Sequence, residues 1–198
     1  MASINGISVK GLKKFTGHEG EPLSQGNLYL GGKKIGFWTQ DSWGGPDNFR
    51  FDQPWGWKME RALNEKVTSL NADKTIHGEN YKGEPYVLEY SLERLMGDYI
   101  GLLYDEDAYK KAVKAGFAGV LIASDGYHMI WWKLPESHVK LSDKELLALY
   151  DDQIKKAKES FLKEDKYTKH TVAIYRSSDD FNIGEPIKLE DIMAQIAS

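Results

Sequence analysis

The spacing of apolar residues changes near Trp57, and this change limits the folds that the chain can adopt. Before it, apolar and polar residues alternate in short segments such as NFRF at 48–51, which is typical of β-strands with one buried face. The stretch NLYLGGKKIGFW holds Gly31-Gly32 between two such segments and predicts a β-hairpin. After Trp57, apolar residues from Met59 to Leu70 recur at the spacing of an amphipathic helix. We therefore expect strands first and a helix next.

Two further helices are predicted in the middle of the chain. Pro85 suits the first residue of a helix, where no N–H is needed, and apolar residues from Leu88 to Leu102 form its buried stripe. Asp105 then has the position of an N-cap and Gly116 that of a C-terminal stop. This pair predicts a second helix after the first.

The last third of the chain has clear hairpin and helix signals. Asp125-Gly126 is a two-residue turn signal between two apolar arms and predicts a hairpin. Ser142 and Glu145 match a capping box, which predicts the start of one long amphipathic helix over 141–166. A strand at 171–176 and a short terminal helix follow.

Strands and helices are partly segregated along the chain, and hairpins dominate. This order favours an α+β fold with a mixed or mainly antiparallel sheet built from hairpins, together with several amphipathic helices. A boundary is expected at about residue 55. It would separate an N-terminal β module, residues 1–55, from an α+β body, residues 56–198, unless both belong to one domain.

Composition excludes several classes of site and partner. The 198 residues include no cysteine, so disulfides, thiolate metal sites and a cysteine nucleophile are excluded. A net charge of −4 argues against a nucleic-acid partner. The N-terminal residues show no apolar signal region, and no apolar run approaches the ~20 residues of a membrane span. We expect a cytoplasmic protein that does not contact a membrane.

Common catalytic and cofactor motifs are missing from the sequence. There is no phosphate loop, no dinucleotide fingerprint, no H-E-x-x-H and no G-x-S-x-G. The sequence therefore predicts no catalytic residue, no cofactor and no metal, and an enzyme is the less favoured class. A hydrolase that assembles His and Asp or Glu from separate loops stays open. His18 beside Glu19, and His77 two residues before Glu79, are its candidate bases, although a plain surface role is favoured for both.

Three aspartates of the region before residue 55 allow two interpretations. Asp41, Asp47 and Asp52 could converge on a divalent cation if their loop folds back. Aspartate side chains also cap turn amides, and Asp41-Ser42 and Asp47-Asn48 suit that role. We favour the turn interpretation.

The stretch from Trp38 to Lys58 holds four of the six tryptophans in a segment rich in turn residues. These rings either fill a core or form a surface for a partner, since tryptophan is enriched among interface hot spots. Trp43 is the strongest candidate for an exposed contact, because two glycines follow it and no regular element holds it. The predicted partner-binding residues are Trp43, Gly44, Gly45, Trp55 and Trp57.

The stretch GLKKFTGHEGEPLSQGNLYLGGKKIGFWTQDSWGG, residues 11–45, resembles the opening of uncharacterised accessory proteins of bacteriophages and mobile elements of Gram-positive hosts. The resemblance covers about a quarter of the chain and brings no catalytic residue. It implies a phage-encoded protein that binds and inhibits a host or defence-system protein in the host cytoplasm. A non-enzymatic binder of this kind is the favoured function.

A small-ligand binder is the alternative from another class. Aromatic walls with few polar groups are typical of small-molecule pockets. A pocket for a nucleotide-like signal, which the protein would sequester, could use residues around the second predicted hairpin. Its candidate residues are Tyr127, His128, Trp131 and Lys133.

Overall fold

A computed structural model of the chain describes residues 1–80, 82–126, 128–161 and 170–197. Within these residues the chain forms eleven strands and six helices, with short 3₁₀ turns at Ala72–Lys74 and Ser178–Phe181. The strands are β1 (Ser3–Ile4), β2 (Ile7–Thr16), β3 (Pro22–Leu30), β4 (Lys33–Thr39), β5 (Asn48–Phe51), β6 (Ile76–Glu79), β7 (Pro85–Leu88), β8 (Gly119–Ser124), β9 (Met129–Leu134), β10 (Thr171–Tyr175) and β11 (Asn182–Ile183). The helices are α1 (Gly56–Leu70), α2 (Leu92–Lys114), α3 (Glu136–Val139), α4 (Asp143–Leu149), α5 (Asp151–Ser160) and α6 (Leu189–Ala197).

The strands form three sheets, and nearly all neighbours are antiparallel. The order is β11-β1-β2-β3-β4-β5 in the largest sheet, β10-β8-β9 in the second and β6-β7 in the third. The pair of β1 with β11 is parallel, and the others in these sheets are antiparallel. The predicted α+β class, with a mixed or mainly antiparallel sheet built from hairpins, is confirmed.

The chain divides into two compact units. The six-stranded unit consists of Ala2–Tyr99 and Asn182–Ser198, and the three-stranded unit consists of Met1 and Ile100–Phe181. Residues 1–55 supply β1 to β5, and these strands share the six-stranded unit with α1, α6 and the first part of α2. The domain boundary near residue 55 stays a prediction.

The core of the six-stranded unit lies between its sheet and its helices. Along β3, Leu28 and Leu30 are fully buried while the residues between them are partly exposed, as period-2 alternation requires. Helix α1 packs against β5 and α6 and buries Met59 and Leu63. The hydroxyl of Tyr99 in α2 accepts a hydrogen bond from the N–H of Val9 at 2.9 Å, which joins this helix to β2.

The three-stranded unit buries its sheet under two short helices. Leu121 and Leu134 of the sheet pack with Leu146 of α4 and Ile154 of α5. Beside the sheet, the hydroxyl of Tyr175 donates a hydrogen bond to Asp105 Oδ2 at 2.7 Å. Burial raises the pKa of this carboxyl, and the bond from Tyr175 opposes that rise.

Several local predictions are confirmed. Gly31 and Gly32 have φ of 56° and 83° and join β3 to β4, as the hairpin prediction requires. The side chains of Ser142 and Glu145 form the capping box at the start of α4. Gly116, with φ of 83°, follows the end of α2.

Other local predictions are wrong. Pro85 opens strand β7 rather than a helix, because proline also suits an edge strand whose N–H is not needed. Helix α2 runs without a break past Asp105, so this residue is not an N-cap. The predicted long helix is interrupted at Tyr150 between α4 and α5, and its last predicted residues, 162–166, lie outside the described residues.

The turn prediction at Asp125-Gly126 is correct in place and wrong in length. The last pair of the β8–β9 hairpin is Ser124 with Met129, so the loop has more than two residues. Asp125 closes it, since its N–H donates to the carbonyl of His128 at 3.2 Å and its Oδ1 accepts from the N–H of His128 at 2.5 Å.

Candidate functional site

The loop between β4 and β5, residues 40–47, is shaped by Asp41. Its Oδ1 accepts hydrogen bonds from the N–H of Trp43 at 2.8 Å and of Gly45 at 3.1 Å. These bonds hold the pKa of Asp41 below its usual value, because they favour the charged form. Gly44 has φ of 75°, a conformation that glycine adopts without strain. Asp41 therefore has the turn-capping role that we favoured.

Trp38 and Trp43 are five residues apart and have opposite environments. Trp38 is fully buried, and its Nε1–H donates to Asp47 Oδ2 at 2.7 Å. Trp43 is 74% exposed and stacks on His18 with ring centroids 3.8 Å apart. The N–H of His18 donates to the carbonyl of Ser42 at 2.9 Å, so the two loops at this end of the sheet are bonded together.

Trp55 and Trp57 do not join Trp43 in one cluster. The ring of Trp55 is partly buried, with Lys33 Nζ 5.7 Å from its centroid at the start of β4. Trp43 follows the other end of that strand. Trp57 lies in the first turn of α1 and is 69% exposed. The predicted partner-binding residues thus occupy separate positions around β4 and α1.

Trp57 lines a cleft of about 450 Å³ in the six-stranded unit. Three segments form its walls: the end of the β4–β5 loop with β5, helix α1, and the start of α2. A second hollow of about 440 Å³ shares Asp47, Ser91 and Glu93 with the first and extends to Asp98. We call the joined hollows the acidic cleft; the lining residues on which its chemistry depends are Asp47, Phe49, Trp57, Glu60, Glu93 and Asp98.

Hydrogen bonds between the walls fix the shape of the acidic cleft. The N–H of Asp47 donates to Glu93 Oε1 at 3.2 Å, which joins the loop to α2. The N–H of Leu92 donates to Asn64 Oδ1 at 2.8 Å, which joins α2 to α1. The three walls are therefore held together by contacts between residues far apart in sequence.

Two carboxylates of the cleft, those of Asp47 and Glu60, are costly to keep charged. Burial raises the pKa of Asp47, the hydrogen bond from Trp38 opposes this rise, and the charges of Glu93 and Asp41 add to it. Partial burial also raises the pKa of Glu60. A cation placed between these groups would relieve their repulsion and replace lost hydration.

Two arginines, Arg61 and Arg94, also line the cleft, and both have partners of their own. Arg61 Nε pairs with Glu65 at 2.8 Å. Arg94 donates to the carbonyl of Lys74 at 3.2 Å, and its guanidinium lies 5.2 Å from the ring centroid of Tyr90. In the part of the chain that the structure describes, Asp47, Glu60 and Glu93 take part in none of the ion pairs. An exposed indole beside such carboxylates suits a cationic side chain.

His128 and His18 have partners other than the candidate carboxylates. His128 Nδ1 lies 3.1 Å from Oδ2 of the buried Asp125. His18 stacks on Trp43. His77 and Glu79 do share one face, as expected for an extended segment, because β6 is a strand. The hydrolase stays an untested alternative.

The predicted small-ligand residues lie at the β8–β9 hairpin. Trp131 and Lys133 are two apart on β9 and share a face, with Lys133 Nζ 5.2 Å from the ring centroid of Phe117. His128 precedes the strand and contacts Asp125. Tyr127 lies outside the described residues.

The three aspartates weighed as a cation site have separate partners. Asp41 caps its loop, Asp47 binds Trp38, and Asp52 Oδ2 lies 3.9 Å from Lys34 Nζ. Among the described residues, no group of three or more His, Asp or Glu side chains is arranged to hold a metal ion.

Glu60, Glu93, Asp98 and the role of Phe49 in the cleft were not predicted from the sequence. One signal was available: Trp57, Glu60 and Asn64 recur at i, i+3 and i+7, which places them on one face of α1. Glu93 carried no comparable signal, because its approach to Asp47 depends on the fold.

Comparisons with models of protein families, with curated proteins and with solved structures find no match. In the described parts of the chain, no helix combines the length and the apolar character needed to cross a membrane.

Proposed function

We propose that this protein is a binding protein whose acidic cleft accepts a lysine or arginine side chain of a partner protein. One observation carries the proposal: Trp57, 69% exposed, lines the same cleft as Asp47, Glu60 and Glu93. An exposed indole offers a face for a cation, and carboxylates offer its counter-charge.

The energetics of the cleft favour such an occupant. Burial and mutual repulsion raise the pKa of Asp47, so its charged form is costly without a cation nearby. A guanidinium or ammonium group would compensate this cost, and cation–π contact with Trp57 adds roughly 0.5–2 kcal/mol. A basic side chain therefore gains both from the carboxylates of the cleft and from the indole of Trp57.

The β4–β5 loop supplies a second contact to a large partner. Pro46 and Asp47 at its end line the cleft, while Trp43 near its middle is exposed together with His18. Exposed aromatic residues beside a pocket are typical of interface hot spots. We expect the partner to cover Trp43 while its basic side chain enters the cleft.

The resemblance of residues 11–45 to bacteriophage and mobile-element accessory proteins supports a host or defence-system protein as the partner. In this proposal the protein works in the host cytoplasm and inhibits its partner by occupying a basic surface. No chemical step is required for that action.

The cleft can be tested before a partner is known. NMR titration with a capped Gly-Arg-Gly peptide should shift the indole N–H of Trp57, and an otherwise identical Gly-Glu-Gly peptide should not. Trp57→Ala should weaken arginine-peptide binding about five-fold, since ~1 kcal/mol of cation–π contact is lost. Trp43→Ala is the matched control, because Trp43 is equally exposed but does not line the cleft.

Charge and pH give a second measurement. Glu60→Lys should abolish binding of the arginine peptide, whereas Asp73→Lys, the same charge change on the exposed turn after α1, should leave it nearly unchanged. Since the pKa values of Asp47 and Glu60 are raised, protonation begins at a higher pH than for ordinary carboxyls, and binding should weaken as the pH falls through that range. Equal loss in Asp73→Lys and Glu60→Lys would refute the cleft as the site.

A further inference from the structure

The β6–β7 hairpin has features of an incomplete sheet. Within the described residues these two strands pair only with each other. Ile76, Val87 and Leu88 are 44%, 57% and 50% exposed. A two-stranded ribbon is only marginally stable, and an open strand edge offers unpaired N–H and C=O groups to another strand. The hairpin is therefore a candidate for strand addition.

The bonding pattern shows which edge is available. The N–H of Asn80 donates to the carbonyl of Glu84 at 2.9 Å, so this pair is hydrogen-bonded. Hydrogen-bonded and non-hydrogen-bonded pairs alternate along an antiparallel ladder. The pairs Glu79–Pro85 and His77–Val87 are therefore both non-hydrogen-bonded pairs. The N–H and C=O groups of His77 and Glu79 consequently point away from β7.

The two edges of the hairpin differ. The outer edge of β6 offers two N–H donors and two carbonyl acceptors, from His77 and Glu79. The outer edge of β7 has Pro85, which has no N–H, and so offers one donor, from Val87. A strand added beside β6 can accept two N–H hydrogen bonds from the hairpin, whereas a strand added beside β7 can accept only one.

We propose that β6 pairs with β6 of a second copy of this chain, antiparallel about a two-fold axis at Gly78, to form a four-stranded sheet. In this register His77 lies opposite Glu79 of the partner subunit, and Glu79 lies opposite the partner's His77. The imidazole can donate to the carboxylate at both positions. Each of these two pairs is a hydrogen-bonded pair of the new ladder, since all four residues point outward.

Side-chain complementarity selects this register. The next registers on either side would place His77 opposite the partner's His77, or Glu79 opposite the partner's Glu79. Two carboxylates directly opposite each other are destabilising. A second copy is thus the partner whose charges match this edge.

The apolar face agrees with the same arrangement. Ile76, Gly78, Tyr86 and Leu88 share one face of the hairpin, and the ring of Tyr86 lies over Gly78. At the two-fold axis, the small Gly78 allows close approach, and the Tyr86 rings of both subunits extend the apolar strip. The paired strands are short, so we expect a weak, concentration-dependent dimer.

Proline substitution tests the edge. By sedimentation velocity of the full chain between 10 µM and 1 mM, the wild type should shift from monomer towards dimer. Glu79→Pro removes an outward N–H and leaves the bonds within the hairpin intact, as Pro85 already does in the opposite strand; it should raise the dimer dissociation constant at least ten-fold. Val87→Pro removes the outward N–H of the other edge and should leave association unchanged.

Charge exchange tests the register. His77→Glu alone should weaken the dimer, because it places two carboxylates opposite each other, and His77→Glu combined with Glu79→Lys should restore it. A wild type that is monomeric at 1 mM, or equal loss in Val87→Pro and Glu79→Pro, would overturn the proposal. Failure of the double variant to recover would overturn the register at Gly78.

Discussion

The six-stranded sheet and the β6–β7 hairpin both contain antiparallel strands with apolar side chains, but those side chains differ in burial. In the sheet, Leu28 and Leu30 alternate with partly exposed residues and are fully sealed from solvent. In the hairpin, Val87 and Leu88 are 57% and 50% exposed. Helix α1 packs against β5 of the sheet, whereas β6 and β7, which belong to the same unit, pack mainly on each other. A covering layer, more than the strand pattern, decides which apolar side chains become core.

The difference has an energetic meaning. Full burial of a leucine side chain contributes about 1.5–3 kcal/mol relative to exposure. Leu28 and Leu30 gain this amount, whereas the hairpin residues, which are about half exposed, gain only part of it. The six-stranded sheet should therefore unfold only globally, while the hairpin should open locally at lower cost.

Truncation of one residue in each region should show the largest difference in stability between the sheet and the hairpin. Leu28→Ala should lower the free energy of unfolding by about 2–5 kcal/mol, because it leaves a cavity in a sealed core. Val87→Ala should change it by less than about 0.5 kcal/mol, since the side chain is largely in solvent. Urea unfolding followed by far-UV circular dichroism measures both. Comparable losses would mean that the hairpin is covered in solution.

Local signals in the sequence predicted secondary-structure elements correctly where only one physical interpretation of the signal was possible. Gly31-Gly32 supplies positive φ, and Ser142 with Glu145 caps a helix, so these predictions are confirmed. Pro85 was misassigned because proline fits both a first helical turn and an edge strand, and the choice depends on β6 beside it. The break at Tyr150 had no proline or glycine to mark it.

The candidate site was harder to predict, because its walls come from three separate segments. The sequence indicated Trp57 but could not bring Asp47 and Glu93 together, since their contact needs the β4–β5 loop to meet α2. The same limit applies to Trp38 and Trp43. Both lie in one tryptophan-rich segment, and only the position of β4 beneath its covering layer seals the first and leaves the second exposed.

A buried tyrosine hydroxyl satisfies backbone groups of β2 in the six-stranded unit. The Tyr99 hydroxyl accepts a hydrogen bond from the N–H of Val9 at 2.9 Å and donates one to the carbonyl of Val9 at 3.3 Å. It thus satisfies the backbone groups of Val9 that a neighbouring strand would otherwise bind. Tyr99→Phe should destabilise the protein by about 1–3 kcal/mol, because the N–H of Val9 stays buried without an acceptor. Tyr29→Phe, at a partly exposed position in β3, should have almost no effect in the same urea titration. If both variants unfold at the wild-type midpoint, water replaces the hydroxyl and the β2 edge is open.

A substitution in the turn of the β6–β7 hairpin distinguishes local opening from global unfolding. Gly83 has φ of 77° in the turn between β6 and β7, and open space surrounds the position of an added Cβ. Gly83→Ala should therefore cost about 1 kcal/mol through backbone strain alone. Because the hairpin opens by itself, this cost should lower hydrogen-exchange protection of the Gly78 and Tyr86 amides about five-fold while the amides of β3 and the melting temperature stay unchanged. A fall of the same size in the protection of the β3 amides would show that the hairpin and the six-stranded sheet unfold as one cooperative unit. The two regions would then differ in the exposure of their side chains but not in their stability.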